Sequence, residues 1–489
     1  MTNNTSNRAS PTFLTGRPIC VDLDGTLVNT DLLIEGFLTI LSSGQVLTCL
    51  PKLLASSRAD FKRRVSELAG LKAELLPYNA ELITFLRQQR QAGRPIVLVT
   101  AADRKIAEVV AKHLDLFDEI ISSDGVRNLK GEAKSRELVH RFGRKGFDYV
   151  GNDRADLAVW READGIVIVN ASRVVSIEAR KFGNVLAEFA NQPRLLSMAL
   201  RAMRPHQWVK NLLVFVPLLA SRSFGDTPGL LGALCMFASF CATASGIYLV
   251  NDLTDLAADR RHAQKRYRPF ASGALPLSFG AGLAGALIAT GMTLALVVGA
   301  AHVLTAYAAA SLAYSLALKR YPLLDVFILA ALYTLRIVAG GVAGQHPVTL
   351  WLLAFSGFTF LSLALVKRTG EMVHVKHSGF DRTLTRRGYF PEDRPILLMF
   401  GTASAFAASV VLALFVNSSA AFEQYRTPEI LWGLVPLVLF WQCRLWLSTE
   451  RGVMHEDPIV YAFHDWVSWL VAVSVLVIML LASSGPAFW

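Results

Sequence analysis

Beyond residue 206 the chain is a succession of apolar stretches, at roughly 207–223, 229–250, 278–299, 300–318, 322–343, 348–366, 395–416, 428–447 and 464–484. An α-helix needs about 20 residues, at about 1.5 Å each, to cross the hydrocarbon core of a bilayer. Most of these stretches reach that length; the first and fourth are short. Residues 207–489 are therefore predicted to form an all-α, multi-pass membrane domain of about nine transmembrane helices.

Charge placement gives that domain an orientation. The loops after even-numbered spans are basic: Arg260, Arg261, Lys265, Arg266 and Arg268 after the second, Lys319 and Arg320 after the fourth. Lys367, Arg368, Lys376, Arg382, Arg386, Arg387 and Arg394 follow the sixth, and Arg444 and Arg451 the eighth. The other loops offer little beyond Arg222 and Arg426. By the positive-inside rule the basic loops and the N-terminus are expected in the cytoplasm, at the inner membrane. Much of the net charge of +11 is spent here, beside hydrophobic spans. That placement suits a bilayer and anionic substrates, and nucleic acid is not expected as a partner. Composition agrees: 53% of residues are hydrophobic and 18% charged, whereas a soluble chain carries about 25% charged residues. The five cysteines are scattered without a C-x-x-C pair, which excludes a zinc or disulfide framework.

The N-terminal portion reads differently. Residues 1–16 are polar, lack the pattern of a cleaved signal peptide and are expected to be disordered. From 17 to 170, short apolar runs (RPICVDLDGT, RPIVLVT, DEIISS, FDYVGND, GIVIVN) alternate with helix-like segments. Alternation of this kind predicts an α/β, Rossmann-like domain with a parallel sheet. The stretch 31–76 interrupts it and is expected to be a small helical cap, with shallow membrane contact as the alternative. Residues 171–206 read as a linker.

Two constellations carry chemistry. In ICVDLDGT, Asp22 and Asp24 share a face at the end of an apolar strand, where open sheets bind ligands. Two such carboxylates can hold Mg²⁺; one can attack phosphorus while the other trades a proton. Thr100 closes a second strand with a hydroxyl, and Lys130 and Lys134 lie at a helix start. Asp153 and Asp156 in GNDRAD are the candidates for outer metal ligands. In the second constellation, Asn251, Asp255 and Asp259 recur every four residues, with Asp252 alongside. On one continuous helix they would present oxygen ligands for Mg²⁺ on one face. Lys265, Arg266 and Arg268 follow and suit phosphate oxygens. Arg336 lies inside an apolar span, where a charge costs about 2.5–3.5 kcal/mol and normally faces a polar cavity. Asp325 lies earlier in that span, and Gly340-Gly341 permits close helix approach. Arg204, Lys210 and Asn211 stand at the start of the first span.

The first set resembles the haloacid dehalogenase (HAD) superfamily, with D-x-D-G-T standing as DLDGT. That resemblance implies Asp22 as nucleophile, Asp24 as acid/base, Thr100 as phosphate-binding hydroxyl and Lys134, ahead of Lys130, as the cation. The motif usually written G-D-x-x-x-D departs here: Asn152 occupies its first acidic position. The second set resembles the UbiA superfamily of intramembrane prenyltransferases. Its N-D-x-x-D-x-x-x-D pattern stands as Asn251-Asp252, Asp255 and Asp259. MRPHQWVKN, YSLALKRYPLLD, LYTLRIVAGG, VKRTGEM and HEDPIVYAFHD are most similar to the decaprenyl-phosphate phosphoribosyltransferases within it.

The likeness implies phosphoribosyl diphosphate as donor, a polyprenyl phosphate lipid as acceptor and Mg²⁺ in both domains. It further implies that Lys210, Tyr248, Lys265, Lys319 and Arg336 contact the donor, with Asn251 and Asp255 near the metal. Two alternatives stand beside it. One is an aromatic or other small-acceptor prenyltransferase using a prenyl diphosphate. For that reading a second acidic cluster is wanted: Glu371 and Asp381 are too far apart, but Glu456, Asp457 and Asp465 keep it open. The other is a non-enzymatic transporter or scaffold with a degenerate HAD module.

Overall fold

The computed structural model describes residues 16–42, 58–123, 129–190, 194–221, 225–378, 388–454 and 457–484. Two compact units result: Met1–Ala202 together with Leu249–Gly282, and Met203–Tyr248 together with Leu283–Trp489.

The first unit is built on a six-stranded parallel sheet in the order β3-β2-β1-β4-β5-β6. The strands are β1 (Ile19–Val21), β2 (Ile96–Asp103), β3 (Glu119–Ser123), β4 (Asp148–Gly151), β5 (Gly165–Val169) and β6 (Asn184–Phe189). Alternate side chains enter opposite faces. Ile19, Val21, Ile96, Leu98, Val150 and Val167 join one core, while Cys20, Val97, Val99, Tyr149, Ile166 and Ile168 join the other. Burial on both faces explains why these strands read as continuous apolar runs. The order reverses direction at β1, between β2 and β4, so the loops after β1 and β4 flank the crevice where such sheets bind ligands.

One expectation needs correction here. The segment 171–206, read as a linker, contains a helix, Arg173–Ala179, and the edge strand β6. The sequence of β6, NVLAEF, alternates half-buried and exposed positions, so it lacks the apolar run that marks its neighbours. The expected cap at 31–76 contains two described helices, Leu32–Ser42 and Arg58–Ala69, and its residues 43–57 lie outside the described residues. The two helices pack through Ile40, Val65 and Ala69. Gly36 lets them close: a Cβ there would stand 2.8 Å from Val65 Cγ1. The expected tail at 1–16 lies outside the described residues except for Gly16.

The membrane spans number seven rather than about nine by length and composition among the described residues. They are Thr227–Thr254, Leu277–Val297, Leu324–Gly344, Leu350–Val373, Pro391–Val416, Pro428–Glu450 and Trp466–Ser484. The two expected spans outside this set are the short ones. Residues 205–220 form a 3₁₀ helix, Pro205–Phe215, followed by a five-residue α-helix, Val216–Ala220. Ala301–Leu316 is an α-helix of 16 residues, about 24 Å long at 1.5 Å per residue. In the second unit, Gly340 lies against the backbone of the 3₁₀ helix, where a Cβ would stand 1.9 Å from the Val214 carbonyl oxygen.

Candidate functional site

In the N-terminal unit β1 delivers Asp22, and its backbone N–H donates to Val150 O of β4 at 3.0 Å. Lys134, third in the helix Glu132–Phe142 and buried, donates to Asp22 Oδ1 at 2.6 Å and to the Tyr149 hydroxyl at 3.0 Å. Tyr149 donates in turn to Asp156 Oδ1 at 2.7 Å. The other Asp156 oxygen accepts from the Asn152 and Asp153 backbone N–H groups at 2.9 and 3.0 Å. Asp24 Oδ1 accepts from Leu32 N at 2.9 Å, at the start of the inserted helix. Thr100 is fully buried, at the point where the β2–β3 register shifts, and its hydroxyl accepts from Ala102 N at 2.9 Å.

Of the residues singled out from the sequence, the structure thus brings Asp22 and Lys134 together. Asp156 is a loop-fixing residue in this geometry, with its oxygens committed to Tyr149 and two backbone donors. Asp153 is exposed and caps the short turn Arg154–Asp156. Asn152 instead lies over the DLDGT loop: a Cβ on Gly25, whose φ is +74°, would stand 2.2 Å from Asn152 Nδ2. Tyr149 was not singled out from the sequence; inside an apolar strand it reads as core.

Burial pushes the Asp22 carboxyl up to about 6 despite the Lys134 ammonium beside it. Burial first, then Asp31, push Asp24 up to about 7. Burial opposes charge on Lys134, but Asp22 and Asp156 hold its ammonium above its ordinary value. Two carboxylates that resist ionisation so close together suit a cation between them. Their oxygen-only donor set, with the Asn152 amide nearby, fits Mg²⁺, which keeps several waters. Among the described residues no group of three His, Cys, Asp or Glu side chains converges for a metal.

The Asp-rich segment departs from the expected single helical face. The helix Thr227–Thr254 ends before Asp255, which sits at φ −99°, ψ 12° and starts a second helix, Leu256–Arg261. Asp252 and Asp259 are buried and converge on one arginine: Arg268 Nη1 donates to them at 3.1 and 2.7 Å. Arg268, expected on phosphate, is thus held between two carboxylates. Asn251 and Asp255 are half-buried at the bend; their amide and carboxylate oxygens are donors of the kind Mg²⁺ takes. Lys265 and Arg266 are exposed, and Arg266 donates to the Tyr267 hydroxyl at 2.6 Å.

The second unit holds a buried basic cluster. Arg336 Nε donates to Asn211 Oδ1 at 2.9 Å, Nη2 to the Tyr307 hydroxyl at 3.1 Å, and Nη1 to its own helix at Leu332 O. Its guanidinium also lies 4.8, 5.5 and 5.7 Å from the ring centroids of Tyr307, Phe240 and Tyr333. Lys210 Nζ lies 2.8 Å from Asp457 Oδ2, and Lys367 Nζ and the Tyr333 hydroxyl donate to the same carboxylate. Tyr248 carries the Arg204 guanidinium 5.2 Å from its ring centroid. Lys319 is half-buried on the short 3₁₀ turn Leu318–Arg320.

Asp325 does not join Arg336. It pairs with the fully buried Arg368 at 2.5 Å and accepts from the Tyr389 hydroxyl at 2.5 Å. Tyr307 and Tyr333 escaped sequence reasoning. Tyr333 lies three residues before Arg336, a spacing that marks a shared helix face; Tyr307 gave no such signal. Of the acidic residues weighed for a second metal cluster, the described ones are committed to cations. Asp457 is held by two lysines, Asp465 by both Arg444 Nη groups at 2.6 and 2.9 Å, and Glu371 by Arg368. Glu456 and Asp381 lie outside the described residues, as do Arg222, Arg382, Arg386 and Arg387.

Comparison with known proteins places these features. Residues 212–464 match the UbiA prenyltransferase family, and residues 19–160 match haloacid dehalogenase-like hydrolase. The chain is 38% identical over 468 residues to protein y4nM of Sinorhizobium fredii, covering 93% of this chain and 89% of that protein. It is 36% identical over 247 residues to a decaprenyl-phosphate phosphoribosyltransferase of Corynebacterium glutamicum, covering 49% of this chain and 73% of that protein. A Mycolicibacterium smegmatis protein of the same name is 37% identical over 191 residues, 38% of this chain and 60% of its own length. With a family match over more than half its length and that full-length relative, the chain belongs to the UbiA prenyltransferase family and carries a haloacid dehalogenase-like domain at its N-terminal end.

Proposed function

We propose that this chain transfers the 5-phosphoribosyl group of phosphoribosyl diphosphate to a polyprenyl phosphate in the membrane. The buried basic cluster carries this reading. The buried cations Lys210 and Arg336, with the half-buried Lys367 beside them, suit an anionic sugar phosphate. The relatives named decaprenyl-phosphate phosphoribosyltransferase support it. An ionised phosphate oxygen of the lipid attacks the anomeric carbon; the bond from that carbon to the diphosphate breaks, and diphosphate leaves with the electron pair. No general base is needed. Asn251 and Asp255 would hold Mg²⁺, which when bound neutralises diphosphate charge. Lys210, Tyr248, Lys265, Lys319 and Arg336 orient the donor. Arg266 adds an exposed cation. Arg268 keeps Asp252 and Asp259 in place. The basic loops favour the cytoplasmic side for this chemistry.

The N-terminal domain is proposed to hydrolyse a phosphomonoester, with the 5′-phosphate of the transfer product as its candidate. Asp22, steered by Lys134, attacks phosphorus; Asp24 protonates the departing alkoxide and then takes a proton from the water that releases phosphate. Thr100 binds a phosphoryl oxygen. Asp22 and Asp24 would hold Mg²⁺, with Asn152 or Asp153 alongside.

The acidic residues at 457 and 465 are neutralised by Lys and Arg, which disfavours a prenyl diphosphate donor bound through a second metal cluster. The deciding experiment incubates the detergent-purified full chain with Mg²⁺, decaprenyl phosphate and radiolabelled phosphoribosyl diphosphate. A labelled lipid that disappears in Asp255→Asn is expected. Transfer only from a labelled prenyl diphosphate to an aromatic acceptor overturns the reading.

A further inference from the structure

The Asp-rich segment is tied to the inserted helix of the HAD-like domain. Arg260 and Glu35 lie 225 residues apart in sequence, within one compact unit. Arg260 Nη1 donates to Glu35 Oε1 at 2.5 Å and Nη2 to Oε2 at 3.0 Å, a two-pronged ion pair. Both side chains are only 6% exposed. The third donor, Arg260 Nε, goes to Ala271 O at 2.9 Å. One guanidinium therefore fastens three pieces of chain: the helix Leu256–Arg261, the return turn at 271 and the helix Leu32–Ser42.

A second contact lies beside it. Gly273 has φ +76°, and a Cβ there would stand 2.4 Å from Asn29 O, so the turn lies directly on the loop after DLDGT. The contact reaches chemistry on both sides. Arg260 is the neighbour of Asp259, which shares Arg268 with Asp252. Glu35 is in the first turn of the helix whose first N–H binds Asp24.

We propose that Glu35 is a positioning residue for the transferase: through Arg260 it holds the Asp-rich segment in its working shape. The HAD-like domain thereby supports transfer by structure, separately from any hydrolysis it performs. This rests on the transferase reading given above. A neutral Glu35 leaves Arg260 buried without its counter-charge, and the turn 256–273 loosens. Because outer partners of metal-binding residues tune metal affinity about 10–100-fold, the effect falls on Mg²⁺ and donor saturation more than on kcat.

The test uses the full chain in detergent and three variants: Glu35→Gln, Arg260→Lys and Asp22→Asn. Glu35→Gln is expected to raise the Mg²⁺ half-saturation of phosphoribosyl transfer by about tenfold, with a smaller fall in kcat. Arg260→Lys keeps the charge, loses the fork and gives a smaller shift in the same direction. Asp22→Asn, which removes hydrolysis but leaves the ion pair, keeps wild-type transfer. Hydrogen–deuterium exchange gives the readout independent of activity. Amides in 256–273 exchange faster in Glu35→Gln, while those of β1 to β5 keep their protection. Unchanged exchange in 256–273 overturns the proposal, as does unchanged Mg²⁺ half-saturation in a wild type that transfers. A wild type that transfers nothing from phosphoribosyl diphosphate sinks the functional reading instead, and the exchange result still decides the coupling.

Discussion

Asp457 receives two lysines at once: Lys210 Nζ at 2.8 Å and Lys367 Nζ at 3.1 Å, both on Oδ2. Its side chain is 4% exposed, and the Tyr333 hydroxyl completes its shell. One carboxylate thus sits between two ammonium groups, the buried Lys210 and the half-buried Lys367. Asp457→Asn removes that compensation. A buried charge left unpaired costs about 3–5 kcal/mol. The variant is expected to unfold at lower temperature in detergent, and scanning calorimetry checks it. Lys367→Met alongside Asp457→Asn should recover part of the loss, because one of the two stranded charges is gone.

Arg336 uses its flat fork on Asn211 and Tyr307 while lying over three aromatic rings. A lysine reaches at most part of that set. Hydrogen bonds to a charged group contribute about 1.5–3 kcal/mol each, and each 1.4 kcal/mol is about tenfold in binding. Arg336→Lys is therefore expected to weaken donor binding by tenfold or more at unchanged helical content. Saturation with phosphoribosyl diphosphate, together with circular dichroism, reads both quantities.

Asp22 and Asp24 make the N-terminal site sensitive to pH in a definite direction. Their carboxyls are pushed up from an ordinary value of 3.8 to about 6 and about 7, chiefly by burial. The fold thus favours their neutral forms, and the stability this contributes is present below about pH 4 and lost as pH rises to about 7. Bound Mg²⁺ favours the ionised forms, so its protection of the site should grow over the same window. The ratio of hydrogen-exchange rates for β1 and β4 amides with and without Mg²⁺ is expected near one at pH 5 and well above one at pH 7.5. A ratio independent of pH would show that these two carboxylates do not take the ion.

Gly25 holds the DLDGT turn open at φ +74°, with the Asn152 amide directly above it. Gly25→Ala must both strain the backbone and displace Asn152. A residue forced into this region costs about 1–3 kcal/mol. Phosphomonoester hydrolysis in this variant should fall far more than transfer, because the displaced groups belong to the DLDGT loop and the Asn152 turn beside it. Parallel assays with p-nitrophenyl phosphate and phosphoribosyl diphosphate measure the two.

The sequence revealed those parts of the molecule whose physics is local. Apolar runs of strand length between helix signals gave the parallel sheet, and DLDGT stood at the end of β1 because strand and turn chemistry are both written in adjacent residues. The long spans announced themselves by composition. What escaped depends on partners distant along the chain. The four-residue rhythm from Asn251 to Asp259 assumes an unbroken helix, and the break at Asp255 turns Asp259 toward Arg268. Asp325 and Arg336 share a span, yet Asp325 is taken by Arg368 and Tyr389 from other elements. Tyr149 and Tyr307 look like core residues until their hydroxyls find Asp156 and Arg336. β6 hid because an edge strand buries only one face.

The clasp of Arg260 on Glu35 bears on how such a chain can be divided. An excised N-terminal fragment ending before residue 203 would carry Glu35 without the guanidinium that pairs it. The complementary fragment would carry an orphan guanidinium. Synthesis as one polypeptide delivers the two in equal number and within reach of each other. Fragments cut between the halves should therefore be judged as mutants of both, rather than as samples of either.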